Sequence, residues 1–282
     1  MYVYFDIGGT KTRVSVSRDS GQSFEEPRKF STPSKFEDLL CAIRDTAYAI
    51  GGQQPIEGAG GGIACPVDRT DSTLKWAPNL PEDWFSRSLV DELGAVLEAP
   101  VFINNDTAVI GVGEAHHGAA RGHAISAYIT VSTGVGGARI VHGQADVVGI
   151  SAEPGRQYID FDKSGCPTCE DASILGYLSG AAMERRFDKK PYEVTDPAVW
   201  EQMAQWTAYM LANTIVHWAP DVVVLGGSMI TGKPAIPIDR IREHLRPILV
   251  FPKTPELKQA ELGDFGGIYG AMEFVNQRIA NT

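Results

Sequence analysis

The chain has 282 residues, 43% of them hydrophobic and 21% charged, which suits a globular protein with a substantial core in one large or two ordinary domains. Its 25 Lys+Arg against 35 Asp+Glu leave a formal charge of -10, so its surface repels a phosphate backbone and no nucleic-acid partner is expected. No apolar run approaches the roughly 20 residues of a membrane helix, and no basic stretch precedes an apolar one at the N-terminus. With four cysteines, too few for a disulfide scaffold, the expected setting is cytoplasmic and reducing, with no membrane partner.

Residues 3–6 form a short apolar strand that runs into Ile7-Gly8-Gly9-Thr10-Lys11, and residues 12–17 alternate small or polar residues with Val14 and Val16. That pattern predicts a hairpin with its tip at Gly8–Gly9. Ser34-Lys35-Phe36-Glu37 has capping-box spacing, and Phe36, Leu39, Leu40, Ile43 and Ala47 recur at helical intervals, predicting a helix over residues 35–50. A buried strand follows over 58–67, a helix over 84–97, a strand over 101–104 and, after Asn105-Asp106, a helix to about Glu114.

The pattern then restarts. A strand over 124–132, the glycine turn Thr133-Gly134-Val135-Gly136-Gly137 and a strand over 138–141 form a second hairpin. A cysteine-bearing loop at 165–170 precedes helices over 171–187 and 197–218. A fully apolar strand at 221–225 ends in Gly226-Gly227-Ser228, and helices over 236–249 and 267–279 complete the chain. Both halves open with a glycine-tipped hairpin and close with strand–helix alternation, which predicts a duplicated α/β domain. The expected division is residues 1–118, residues 119–264, and a C-terminal helical segment 265–282 packing back on the first domain.

A tight hairpin tip can gather backbone N–H groups into a nest for an anion, and glycine lets a phosphate approach. Asp6-Ile7-Gly8-Gly9-Thr10-Lys11 adds a hydroxyl, an ammonium and a carboxylate able to hold Mg²⁺ through water. The second turn is similar without the charge. Taken singly each is a hairpin needing glycine; two such turns, one per half, point to a nucleotide clamp. No P-loop or complete G-x-G-x-x-G accompanies them, and Asp264-Phe265-Gly266 lacks the other protein-kinase motifs.

In this order the motifs resemble those of the ROK sugar kinases, within the actin/hexokinase/Hsp70 fold. Asp6–Lys11 resembles the first phosphate motif and Thr133–Gly137 the second; Gly62-Ile63-Ala64-Cys65-Pro66-Val67-Asp68 resembles G-x-x-x-P-G-x-V-D; Pro78-Asn79-Leu80 with Trp84 resembles the sugar-side loop. Asn105-Asp106, with Ala108 and Gly113-Glu114, resembles the catalytic segment, and Gly226-Gly227-Ser228 the adenosine-side loop. The resemblance implies two actin-like (ribonuclease H-like) domains flanking a nucleotide/sugar cleft, and a homodimer. It implies Asp106 as general base and Asn79, Asn105, Glu153 and Arg156 on the sugar. For Mg²⁺ and ATP it implies Asp6, Gly8, Gly9, Thr10, Lys11, Thr133, Gly134, Gly136, Gly227 and Ser228. Without the other motifs, Asp106 reads first as the N-cap of its helix.

The chain departs from the family at one place. Where the family has E-x-G-H, with a histidine that touches sugar and ligates a structural zinc, this chain has Glu153-Pro154-Gly155-Arg156. Aligned on Ser179-Gly180, the third family cysteine is Ser173 and a sugar-contacting glutamate is Leu175. Cys166-Pro167-Thr168-Cys169 is half of a tetrahedral zinc site or a redox pair. Arginine cannot ligate zinc, so no metal is expected there. Arg156 suits an anionic group on the sugar or an ion pair of its own, and Leu175 suits an apolar substituent such as an N-acetyl methyl. The expected activity is ATP-dependent phosphorylation of a hexose or N-acetylhexosamine hydroxyl. The alternatives are a catalytically weak or inactive sugar sensor, a non-sugar kinase or ATPase on the same fold, and polyphosphate in place of ATP.

Overall fold

The computed structural model describes residues 1–68, 70–75, 77 and 79–280. The chain divides into two compact units, one made of Met1–His117, Gln144–Ser151 and the segment from Asp264 onward, the other of Gly118–Gly143 and Ala152–Gly263.

The first sheet contains β1 (Tyr2–Ile7), β2 (Lys11–Ser17), β3 (Arg28–Ser31), β4 (Gly58–Ile63) and β5 (Val101–Asn105), in the order β3-β2-β1-β4-β5. β1 and β2 form the expected hairpin, while β4 and β5 run parallel to β1 and β4 respectively. Alternation places Val3, Phe5, Ile7, Val14 and Val16 on one face, where they meet Phe36, Leu39 and Ile43 of α1 (Phe36–Gly51) and Leu89 and Leu93 of α2 (Leu89–Leu97). Tyr4, on the other face, joins Val109 of α3 (Asp106–His117) and Ile268, Ala271, Met272 and Val275 of α9 (Gly266–Ile279). The parallel register sets Asp6, Gly62 and Asn104 in one row and Ile7, Ile63 and Asn105 in the next. The carboxyl ends of β1 and β5 therefore share one edge of the sheet, two strand spacings apart, or about 10 Å.

The second sheet has the order β10-β9-β6-β7-β8, with β6 (Ile125–Val131), β7 (Val135–Val141), β8 (Gln144–Ala145), β9 (Val222–Gly226) and β10 (Glu256–Gln259). β6 and β7 form an antiparallel hairpin, β9 lies parallel to β6, and β10 parallel to β9. Val223 and Leu225 pack with α4 (Ile174–Leu178), α5 (Gly180–Phe187), α6 (Pro197–Trp218), α7 (Ser228–Thr231) and α8 (Ile238–Leu245). Trp200, Met203, Trp206 and Met210 of α6 are buried in this core.

Several local expectations are corrected. Strands β3, β8 and β10 carry too few apolar residues to stand out in sequence and exist because neighbouring edges pair with them. The helix expected over 171–187 is two helices, because Ser179 is extended (φ -67°, ψ 148°) and its side chain accepts from Ala182 N to start α5. Ser34 does not cap α1: the N-cap is Lys35, and the Ser34 carbonyl instead accepts from Trp84 Nε1 at 3.0 Å. Trp84 ends a short 3-10 turn, and α2 begins at Leu89 behind Ser88. Of the two free cysteines, Cys41 is exposed and Cys65 is buried.

Candidate active site

The first glycine turn is held by its own backbone and by β3. Gly8 N donates to Lys11 O at 3.0 Å, Thr32 N to Thr10 O at 3.0 Å, and the Thr32 hydroxyl to Gly8 O at 2.7 Å. Gly9, Thr10 and Lys11 are left exposed at the tip. Gly8 and Gly9 do not adopt positive φ, so glycine is required here for room rather than for backbone conformation. A Cβ on Gly9 would sit 2.5 Å from the Asn79 carbonyl oxygen, so the residue expected to touch sugar already packs on the turn expected to hold phosphate. Pro78, the first residue of that sugar-side motif, lies outside the described residues.

Asp6 closes β1 with a side chain only 14% exposed. Arg13, its register partner across the hairpin, places Nη1 3.3 Å from Asp6 Oδ2 and Nη2 3.0 Å from Asp264 Oδ2. Burial pushes the Asp6 carboxyl above the usual carboxylate range, Arg13 opposes that rise, and Asp264 adds to it. α9 starts directly against this group: a Cβ on Gly267 would lie 2.6 Å from Asp6 Cγ. Arg13 and Thr32 are not singled out by the sequence, and Asp264 enters it only in the Asp264-Phe265-Gly266 triplet, set aside there. The hairpin register pairing residues 6 and 13 was a usable signal for Arg13; Thr32 had none, because β3 was invisible.

At the end of β5, Asn105 uses its side chain locally. Its Oδ1 accepts from Thr107 N at 3.1 Å and from the Thr107 hydroxyl, and its Nδ2 donates to Cys65 O at 3.3 Å. Asp106 is the first residue of α3, and its Oδ1 accepts from Thr107 N at 2.8 Å. Both side chains thus serve the opening turn of α3. Gly62 on β4 fits under Asp106, with a hypothetical Cβ 2.8 Å from Asp106 Cα. Burial raises the neighbouring Cys65 thiol to about 12, and the Asp106 charge adds to that rise.

In the second unit, the turn between β6 and β7 is shorter than its motif. Thr133 and Gly134 form the tip, closed by Ser132 N donating to Gly134 O at 2.8 Å, while Gly136 already lies in β7 opposite Thr130. Gly180 N and Ala181 N, the first groups of α5, donate to Ser132 O at 2.7 Å and Thr133 O at 3.2 Å. The Ser132 and Ser228 hydroxyls lie 3.0 Å apart, which brings the Thr133–Gly134 tip beside Gly227–Ser228. Gly227 has φ 87°, and a side chain there would run into the Val131 carbonyl. Glu153 and Arg156 flank a short turn whose Gly155 presses on Val135, and Arg156 Nε is 4.0 Å from Glu153 Oε2. That ion pair is exposed and contributes little. Leu175 Cδ1 lies 3.8 Å from where a Cβ on Gly134 would be.

The cysteine loop is closed covalently. Cys166 and Cys169 form a disulfide, contrary to the fully reduced chain expected from composition. Arg186 Nη1 lies 3.6 Å from Cys166 Sγ and 3.2 Å from Cys169 Sγ. These residues do not fit zinc: both sulfurs are bonded to each other, a guanidinium stands against them, and Ser173 is used as the N-cap of α4. Among the described residues no group of three or more His, Cys, Asp or Glu could hold a metal ion, and no helix is long and apolar enough to cross a membrane. Asp6 is compatible with Mg²⁺ in chemistry, as a carboxylate that would hold the ion largely through waters, and Arg13 is the cation already against it.

Comparison with known proteins places these features in a wider set. The model of the ROK family matches residues 2–278. A glucokinase of Thermotoga maritima is 25% identical, with 97% of this chain and 96% of that protein covered. An N-acetyl-D-glucosamine kinase of Citrobacter koseri is 27% identical, with 96% and 98% covered. The structure of a ROK family glucokinase from Streptomyces griseus in complex with glucose and AMPPNP superposes with a TM-score of 0.79 at 25% identity, covering 98% of this chain and 99% of that one.

Proposed function

The chain belongs to the ROK family, and from that premise we propose that it is an ATP-dependent kinase for a hexose or N-acetylhexosamine, with Asp106 as the general base. The observation that supports this most is the shared sheet edge: Asp106 begins α3 at the end of β5, and Asp6 with the Gly8–Gly9 turn ends β1 two strands away. Phosphoryl transfer to an alcohol needs a proton acceptor for the hydroxyl, charge compensation on the phosphates and fixed orientation. Asp106 accepts the sugar proton. Asn105, Asn79, Glu153 and Arg156 orient the sugar. Lys11 and the exposed N–H groups of the first turn receive phosphate charge, as do Thr133, Gly134 and Gly136. Gly227 and Ser228 border the adenosine. Mg²⁺, when bound, neutralises phosphate charge, and Asp6 with Thr10 would hold it.

The relatives that act on glucose and on N-acetylglucosamine support the substrate class, and the AMPPNP complex supports ATP as donor. The test is ADP formation across glucose, mannose, fructose and the N-acetylhexosamines, comparing wild type with Asp106→Asn. We expect sugar-dependent turnover to fall by about 10²–10⁴ in the variant with ATP binding retained. Undiminished turnover in Asp106→Asn would remove Asp106 from the reaction. Sugar binding without ADP formation in the wild type would instead establish a sensor.

A further inference from the structure

We propose that Cys166 and Cys169 form a reversible thiol–disulfide centre in which Arg186 receives the Cys169 thiolate. The two cysteines are three residues apart, with Cα atoms separated by 5.4 Å. Arg186 projects from α5 onto the bridge, nearer to Cys169 (3.2 Å) than to Cys166 (3.6 Å). The guanidinium packs between rings, 5.0 Å from the Phe187 centroid and 5.2 Å from that of Trp206. Its Nε is buried with no hydrogen-bond partner, and among the described residues no carboxylate forms an ion pair with it. A cation in that setting lacks a counter-charge, and disulfide sulfur is a weak acceptor. Reduction supplies the missing anion. A thiolate beside Arg186 is a charge-assisted pair, so the reduced form is favoured relative to a disulfide without such a neighbour, and Cys169 is the better leaving group.

The chemistry balances with a small dithiol as reductant. Its thiolate attacks Cys166 sulfur and breaks the Cys166–Cys169 bond, leaving a mixed disulfide and a Cys169 thiolate beside Arg186. The second thiol of the reductant then displaces Cys166, which takes a proton. Two electrons pass to the protein, and the reductant becomes a cyclic disulfide. Reoxidation by hydrogen peroxide converts the Cys169 thiolate to a sulfenic acid, which condenses with the Cys166 thiol; over both steps two thiols and one peroxide give the disulfide and two waters. The sulfurs are buried (residues 6% and 5% exposed), but Gly165, Pro167, Thr168 and Glu170 around them are exposed, so access is to small reagents.

The test equilibrates full-length protein with mixtures of reduced and oxidised dithiothreitol, quenches in acid, alkylates and maps the modified cysteines by mass. Cys41 and Cys65 serve as internal free-thiol references. We expect Cys166 and Cys169 to alkylate together under reducing ratios, to close again with oxidised dithiothreitol or peroxide, and to leave the melting transition cooperative in both states. Arg186→Gln is expected to need at least a tenfold higher ratio of reduced to oxidised reagent for half-reduction, and Arg186→Lys to stay near wild type. If Arg186→Gln does not fold, the wild type decides through its alkylation order, with Cys169 reacting before Cys166 at neutral pH. Equal half-reduction in wild type and Arg186→Gln overturns the proposal. So does a pair that stays as two thiols under oxidised reagent, or purified protein carrying one equivalent of zinc on these cysteines.

Discussion

The first glycine turn is braced by side chains and charge, the second by backbone and packing. Around Gly8–Gly9, Thr32 pins the strand ends and Arg13 bridges Asp6 to Asp264. Around Thr133–Gly134 the bracing is backbone: α5 donates its first N–H groups to the Ser132 and Thr133 carbonyls, and Gly227 fits where a side chain cannot. The same hairpin shape is therefore exposed to different perturbations. The first turn responds to pH and to loss of a charge partner, the second to added volume.

Four substitutions separate these two constructions, each read by chemical denaturation. Arg13→Met is expected to cost most, about 3 kcal/mol at pH 7, because it leaves Asp6 buried without its partner. Asp6 has a folded-state pKa raised by burial, so the stability linked to it is complete below the unfolded value and declines as pH rises through the folded one. Arg13 opposes that decline, and the deficit of Arg13→Met should shrink below about pH 4; equal deficits at pH 7 and pH 3.5 would refute the charge argument. Gly227→Ala should lose about 1–3 kcal/mol from strain at positive φ, with no dependence on pH between 5 and 8.

Thr32→Val should lose about 1 kcal/mol with the hydroxyl bond to Gly8 O, together with affinity for nucleotide, since the tip loosens. Ser228→Ala should change stability by less than about 0.5 kcal/mol, because the Ser132–Ser228 contact is exposed. Its effect should appear instead as a roughly fivefold weaker nucleotide affinity by titration calorimetry. A stability loss in Ser228→Ala exceeding that of Thr32→Val would reverse the contrast between the turns.

The amino-acid order alone determined the two hairpins, the existence of apolar strands within 221–225 and 58–67, the long helix through Trp200 and Trp206, and the family motifs, because each is a local pattern of period, glycine and charge; the strand ends, Gly226 and Ile63, came from the fold. It did not disclose β3, β8 or β10, which depend on an edge offered by another strand, nor the break at Ser179, where Gly180 N bonds to Ser132 O rather than continuing one helix. Only the folded chain decided that Arg13 sits between Asp6 and Asp264, that Asn105 supports the first turn of α3, and that Arg186, 17 residues beyond Cys169, lies against the disulfide. Those arrangements join side chains from separate elements, and their energies come from burial and mutual charge, quantities that exist only once the elements have packed.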